Sequence, residues 1–223
     1  MCARCYLLLV TFLWVATSAP AWAQPRFLAE GPVMESPSGS VGFCKRHPDD
    51  CKPSNDTRIE LTPTTREFLR AINVMVNSYV TWVDDLSNYD REDYWSYPVD
   101  EMGDCEDITL EKKRHLVLPP HQLPPGALRM AIVEVPRPRG VPPVIHAVLL
   151  VKTTDGDYIL DNFTGHVLLW SETGYKFLAL QTADPNVWVE VKAPAPAVAS
   201  AADLDLWGVI EDLLEEVSLA DPY

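Results

Sequence analysis

Val144-Ile145-His146-Ala147-Val148-Leu149-Leu150, then Thr153-Thr154-Asp155-Gly156, then Asp157-Tyr158-Ile159-Leu160-Asp161-Asn162, read as two strands joined by a turn. Both flanks are rich in Val, Ile and Leu, and the break between them holds Thr, Asp and Gly, as a hairpin requires. Working outward, Leu128–Val135 precedes this pair, and 166–170, 175–181 and 187–191 follow it as further short apolar or aromatic runs separated by Pro, Gly and Asp. Upstream the period changes. Leu69, Ile72, Val76, Tyr79, Val83 and Leu86 recur at three- and four-residue steps, one apolar face of a helix starting near Thr65. Asn73 and Asn77 lie a turn apart on one side of it. A second helix starts at Gly103-Asp104, with Glu106 and Asp107 in its first turn, and ends before Pro119-Pro120. Helices first and strands after predict an α+β domain, N-terminal helices packed on an antiparallel sheet.

His146 is the anomaly of the hairpin. It sits in an apolar strand, where an unbonded imidazole is costly. A core histidine satisfied by some other partner is the plain alternative. Asp161 offers a specific one. If Thr153–Gly156 forms a four-residue loop, Val148 faces Asp161, and His146 lies one pair further along on the same sheet face. Such diagonal neighbours are about 7–8 Å apart at the backbone, within side-chain reach. A two-residue Asp155-Gly156 turn moves Asp161 out of reach, so both registers stay open. His47, His115, His121 and His166 lie in loops, turns or element edges and read as surface residues.

The chain opens with Arg4 and an apolar run over 6–17, then Ala21-Trp22-Ala23, the pattern of a removable secretory leader spanning 1–23. The run is short for a membrane span. The expected mature protein, about 200 residues, is large enough for one domain with a sizeable core. The whole chain's charge of −14 disfavours nucleic acid as a partner and is compatible with a hard cation such as calcium. Past the leader only Cys44, Cys51 and Cys105 remain. In an oxidising compartment Cys44 and Cys51 can close the loop between them, leaving Cys105 unpaired. A buried inert thiol is the plain reading of Cys105, but it sits at a helix start, where amides and dipole favour a thiolate. Asp104, Glu106 and Asp107 oppose that, and an imidazolium or a divalent cation would offset them. A cysteine on a helix, then a histidine and an aspartate on a sheet, is a papain-like order for nucleophile, base and orienting carboxylate.

Residues 24–64, rich in Pro, Ser and Gly, read as an extended arm holding the disulfide. Residues 65–192 form the domain, 193–202 an Ala/Pro linker, and 203–223 a very acidic helix with Leu206, Trp207, Ile210, Leu213, Leu214 and Val217 on one face.

The blocks Gly103-Asp104-Cys105-Glu106-Asp107, His146-Ala147-Val148-Leu149 and Leu160-Asp161-Asn162 resemble the bacterial transglutaminase-like cysteine proteinase family. Phe43-Cys44 with Cys51, Asn73 with Asn77, and Asp93-Tyr94-Trp95 agree with it, so the resemblance covers about residues 40–191. It implies a transglutaminase-like, papain-related fold and a triad of Cys105, His146 and Asp161. The family's LapG-type branch is periplasmic and calcium-dependent and clips a large surface adhesin. It needs acidic residues on either side of the nucleophile, here Asp104 and Glu106, whose oxygens suit calcium. A periplasmic location, an exported or surface protein as substrate, and a regulatory membrane protein are the implied context. Two Pro-rich stretches, 119–125 and 136–143, and the acidic C-terminal segment depart from the family's pattern. Acyl transfer to an amine, and a non-catalytic binding module on the same fold, are the competing functions.

Overall fold

A computed structural model describes residues 25–119 and 122–192. The expected leader, the linker at 193–202, the helix at 203–223 and His121 lie outside the described residues.

In chain order the elements are β1 (Ala29–Met34), α1 (Ser38–Arg46), α2 (Pro63–Tyr79), β2 (Thr81–Trp82), α3 (Asp85–Tyr89), β3 (Met102–Gly103) and α4 (Cys105–Val117). The strands β4 (Leu128–Val135), β5 (Val144–Thr153), β6 (Gly156–Leu160), β7 (Leu168–Leu169), β8 (Lys176–Gln181) and β9 (Trp188–Lys192) follow. Seven strands form one sheet in the order β1-β9-β8-β4-β5-β6-β7, and every pairing in it is antiparallel. The fold is α+β.

The continuous apolar run of β5 has a direct cause. Leu149 and Val151 pack with Leu69 of α2, Leu116 of α4 and Leu160. Val148 and Leu150 point the other way, into a cluster with Ile159, Trp170 and Phe177. A strand covered on both faces has no solvent side to mark with polar residues. The β5–β6 register pairs Thr153 with Gly156 and Leu149 with Leu160, which carries Val148 opposite Asp161. The turn therefore centres on Thr154-Asp155, and the alternative closure over Asp155-Gly156 is not adopted. Thr153 helps set it, its hydroxyl donating to the Gly156 carbonyl at 2.7 Å and accepting from the Asp155 amide at 3.1 Å.

Three sequence expectations are corrected. The arm over 24–64 is not extended throughout, since it contains β1 and α1. It is anchored by charge: Arg129 of β4 and Lys152 of β5, both buried, reach Asp56 at 2.6 and 2.8 Å, and Lys152 also reaches Glu30 at 3.2 Å. The Cys44–Cys51 disulfide closes the turn after α1. The first helix starts at Pro63, with the Thr62 hydroxyl capping the Thr65 amide at 3.0 Å and proline at the position where its missing N–H costs nothing. It ends at Tyr79 and not at Leu86, which is exposed on α3. Residues 88–98, dense in Tyr, Trp and acidic side chains, read as a loop from the sequence, and that stretch begins inside the short helix.

Candidate active site

The helix α4 starts where the sequence placed it. The short parallel pair β2–β3 sets Trp82 beside Gly103 immediately before the turn into the helix. Gly103 is required there, because a Cβ would stand 2.7 Å from the Cβ and Oδ2 of Asp107. Asp104 is the N-cap but makes no capping hydrogen bond with its side chain, and Cys105 is the first helical residue, half-buried and unpaired.

Cys105 is tied to the strand that carries His146. Thr109, one turn on, donates its hydroxyl to the carbonyls of Cys105 at 2.8 Å and Ala147 at 3.2 Å. Cys105 and His146 line one cleft of about 730 Å3, together with Trp82, Ile145, Arg137 and Phe163. Trp95, also on this cleft, is nearly fully buried and donates its indole N–H to Asp93 at 2.7 Å, so it serves wall and core at once.

His146 and Asp161 are each 2% exposed, and His146 Nε2 lies 2.8 Å from Asp161 Oδ1. The imidazole stacks on Phe163 with centroids 4.2 Å apart and planes 8° apart, which fixes its rotation. Its Nδ1 is the nitrogen left for a partner. Asp161 is held on all sides. Tyr175 donates to Oδ2 at 2.6 Å, the Phe163 amide donates to Oδ1 at 3.0 Å, and Asn77 donates to its backbone carbonyl at 2.9 Å. Burial pushes this carboxyl up, but the hydrogen bonds from His146 and Tyr175 outweigh it and hold Asp161 below the usual carboxylate range. Asn73 and Asn77 both donate to the Thr164 carbonyl, bracing the segment after Asp161. Tyr175 was missed in the sequence, where it is one tyrosine among several at a strand edge.

The electrostatics around Cys105 work against a thiolate. Burial and then the Glu106 carboxylate, whose Oε2 accepts from the thiol at 2.9 Å, push the cysteine far up. Burial and nearby carboxylates also raise Asp104, to about 9, and Asp107, to about 8. Asp85 is raised for the same reasons. These three converge: Asp85, Asp104 and Asp107 each offer an oxygen within 4.8 Å of the others. The tethering is informative. Asp85 Oδ2 accepts from the Tyr94 amide and Asp107 Oδ1 from the Ser96 amide, which leaves Asp85 Oδ1, Asp107 Oδ2 and Asp104 Oδ1 buried without hydrogen-bond partners. Buried carboxylate oxygens with nothing to accept from are costly, and a hard cation is the group that answers all three. Asp104 and Glu106 were the sequence candidates. Asp104 lies in this cluster, and Glu106 also groups with Asp104 and Cys105. Asp85 and Asp107 are additions, and only the fold brings Asp85, on α3, to the helix start.

A cysteine at a helix start, sharing a cleft with a histidine–aspartate pair on an antiparallel sheet, is the arrangement of a papain-related cysteine hydrolase. The family of bacterial transglutaminase-like cysteine proteinases matches residues 30–195, and the chain belongs to it. Among solved structures it is similar to Legionella pneumophila LapG, with 25% identity over 58% of this chain and 69% of that one and a TM-score of 0.45. The calcium-bound LapG of that organism gives 23% identity over 63% and 77%, with a TM-score of 0.47. No curated protein matches. No helix among the described residues is long and apolar enough to cross a membrane.

Proposed function

We propose that this chain is an exported, calcium-dependent cysteine peptidase whose triad is Cys105, His146 and Asp161. One observation carries the reading: His146, whose Nε2 is engaged by Asp161, lines the same cleft as Cys105. With Nε2–H committed to the carboxylate, Nδ1 is the basic nitrogen. It takes the Cys105 proton as sulfur attacks a peptide carbonyl, and the resulting imidazolium is stabilised by Asp161. The same proton then goes to the leaving amine as the C–N bond breaks. Water, deprotonated by Nδ1, adds to the thioester, and sulfur leaves as the thiol. The Cys105 amide, at the open end of α4, is one donor for the oxyanion.

Asp85, Asp104 and Asp107, with Glu106 beside them, would hold the calcium ion. Its charge would offset the carboxylates that disfavour the thiolate. Export is supported by the leader-like sequence over 1–23 and by the disulfide. The substrate class is then a protein of the periplasm or cell surface.

The test is the alkylation rate of Cys105 in the mature protein at pH 7, for the wild type and for His146→Ala, with calcium and with a chelator. Fast alkylation that needs both His146 and calcium supports the reading. A rate equal to that of a free thiol in all four samples overturns it. Peptide products with new amino termini, lost in Cys105→Ala, separate hydrolysis from transfer to an amine.

A further inference from the structure

Trp95 lines two cavities. The second has a volume of about 410 Å3, and neither Cys105 nor His146 lines it. It is walled by the end of the disulfide loop, by α4 and by the sheet. Phe43, Leu110, Val117 and Met130 give it apolar surface. A cavity of several hundred Å3 with apolar walls and a few polar groups is the usual form of a small-molecule site.

Its cationic groups are matched with one exception. Arg114 donates to both oxygens of Glu111 at 2.8 and 2.6 Å, and Lys52 holds Asp49 at 2.7 Å. Lys113 of α4 has no carboxylate at ion-pair distance among the described residues. Its Nζ donates to Gln181 Oε1 at 3.1 Å. Gln181 is itself buried and spends its Nε2 on the Pro185 carbonyl at 3.0 Å. A neutral amide oxygen does not balance a charge. Burial, then the charge of Arg129, holds the Lys113 ammonium below the usual lysine range, at about 8, against the pull of Asp50. A ligand carboxylate would supply the missing partner in a setting where a charge-assisted hydrogen bond is strong.

We propose that this cavity is a second binding site, for a small carboxylic acid with an apolar tail, whose carboxylate pairs with Lys113 and whose tail lies against Phe43, Leu110, Val117 and Met130. A neutral ligand of the same shape leaves the ammonium without a counter-charge, and a cationic one is repelled by it. The site stands apart from the peptidase reading and does not depend on it.

Calorimetric titration of the mature, disulfide-bonded protein with octanoate, octanol and octylamine tests the site. Octanoate should bind saturably and about tenfold or more tighter than the other two. Lys113→Met should weaken octanoate binding by about tenfold or more, and Lys45→Met, on an exposed side chain of α1, should leave it unchanged. No saturable binding of octanoate, equal affinity for the three probes, or binding unmoved by Lys113→Met overturns the proposal. Should Lys113→Met fail to fold, the wild type carries the test alone. Octanoate should slow reductive methylation of Lys113, read by mass spectrometry against Lys45, and octanol should not. Equal slowing by both probes, or by neither, overturns it. Neither readout involves Cys105, so failure here leaves the peptidase reading standing, and an inert Cys105 leaves this site standing.

Discussion

Tyr175 donates to Asp161 Oδ2 while His146 engages Oδ1, so the two oxygens of one buried carboxylate serve a side chain of β5 and one just before β8. The tyrosine orients the carboxylate that orients the imidazole. Tyr175→Phe removes a hydrogen bond to a charged group and should lower stability at pH 7 by about 1.5–3 kcal/mol. The pH dependence has a definite sign. Asp161 has a depressed carboxyl in the folded state, so its contribution is present above the unfolded value of about 3.9 and is lost as pH falls through the folded value. The variant lifts that folded value. The gap between the two proteins in denaturant titrations should thus be full at pH 7 and narrow below about pH 4. A gap independent of pH would mean that the tyrosine packs and does no more.

Asp161→Asn keeps the volume and removes the charge. An amide in that place no longer stabilises the imidazolium and favours the wrong tautomer. Peptide-cleaving activity should fall by about 10^3-fold or more. Hydrogen–deuterium exchange of β5 should stay close to wild type. Activity within tenfold of wild type would remove Asp161 from the triad.

Calcium should stabilise the protein through the three orphaned carboxylate oxygens. At a hundredfold excess over its dissociation constant the gain is about 2.7 kcal/mol, read as a calcium-dependent rise in melting temperature that a chelator reverses. Asp107→Asn should abolish most of this rise. Asp90→Asn, on an exposed turn outside the cluster, should leave it intact. Gly103→Ala should weaken calcium binding too, since its methyl group would push Asp107 out of position.

Breaking the Cys44–Cys51 bridge by Cys51→Ser frees a short loop. The chain-entropy cost of that loop is about 2–3 kcal/mol, so the variant should melt lower by a margin that a reductant also produces in the wild type. Alkylation of Cys105 should change little, because the bridge lies on the far side of Trp95 from the nucleophile's cleft.

The apolar strands and the cysteine helix were legible because burial on both faces and a Gly-Asp helix start leave local marks. The β5–β6 register was half legible: the residues allowed His146 to reach Asp161, and the turn chemistry of Thr153 decided it. β1 left no mark. Ala-Glu-Gly-Pro-Val-Met has neither alternation nor strong β propensity, and its Val33 is largely exposed. It is a strand because β9 offers it an edge. α1 contains two glycines and two serines and is held by packing of Phe43 and Cys44. Asp85 gave no signal at all, because it joins the carboxylate cluster only through the fold, its Oδ2 held by the Tyr94 amide.

The two outermost strands have a consequence for how the molecule behaves among copies of itself. β1 carries Pro32 and a register irregularity between Glu30 and Val33, and β7 at the opposite margin is only two residues long. Neither presents a straight ladder of free amides and carbonyls. A sheet blunted at both borders resists templated stacking into fibrils.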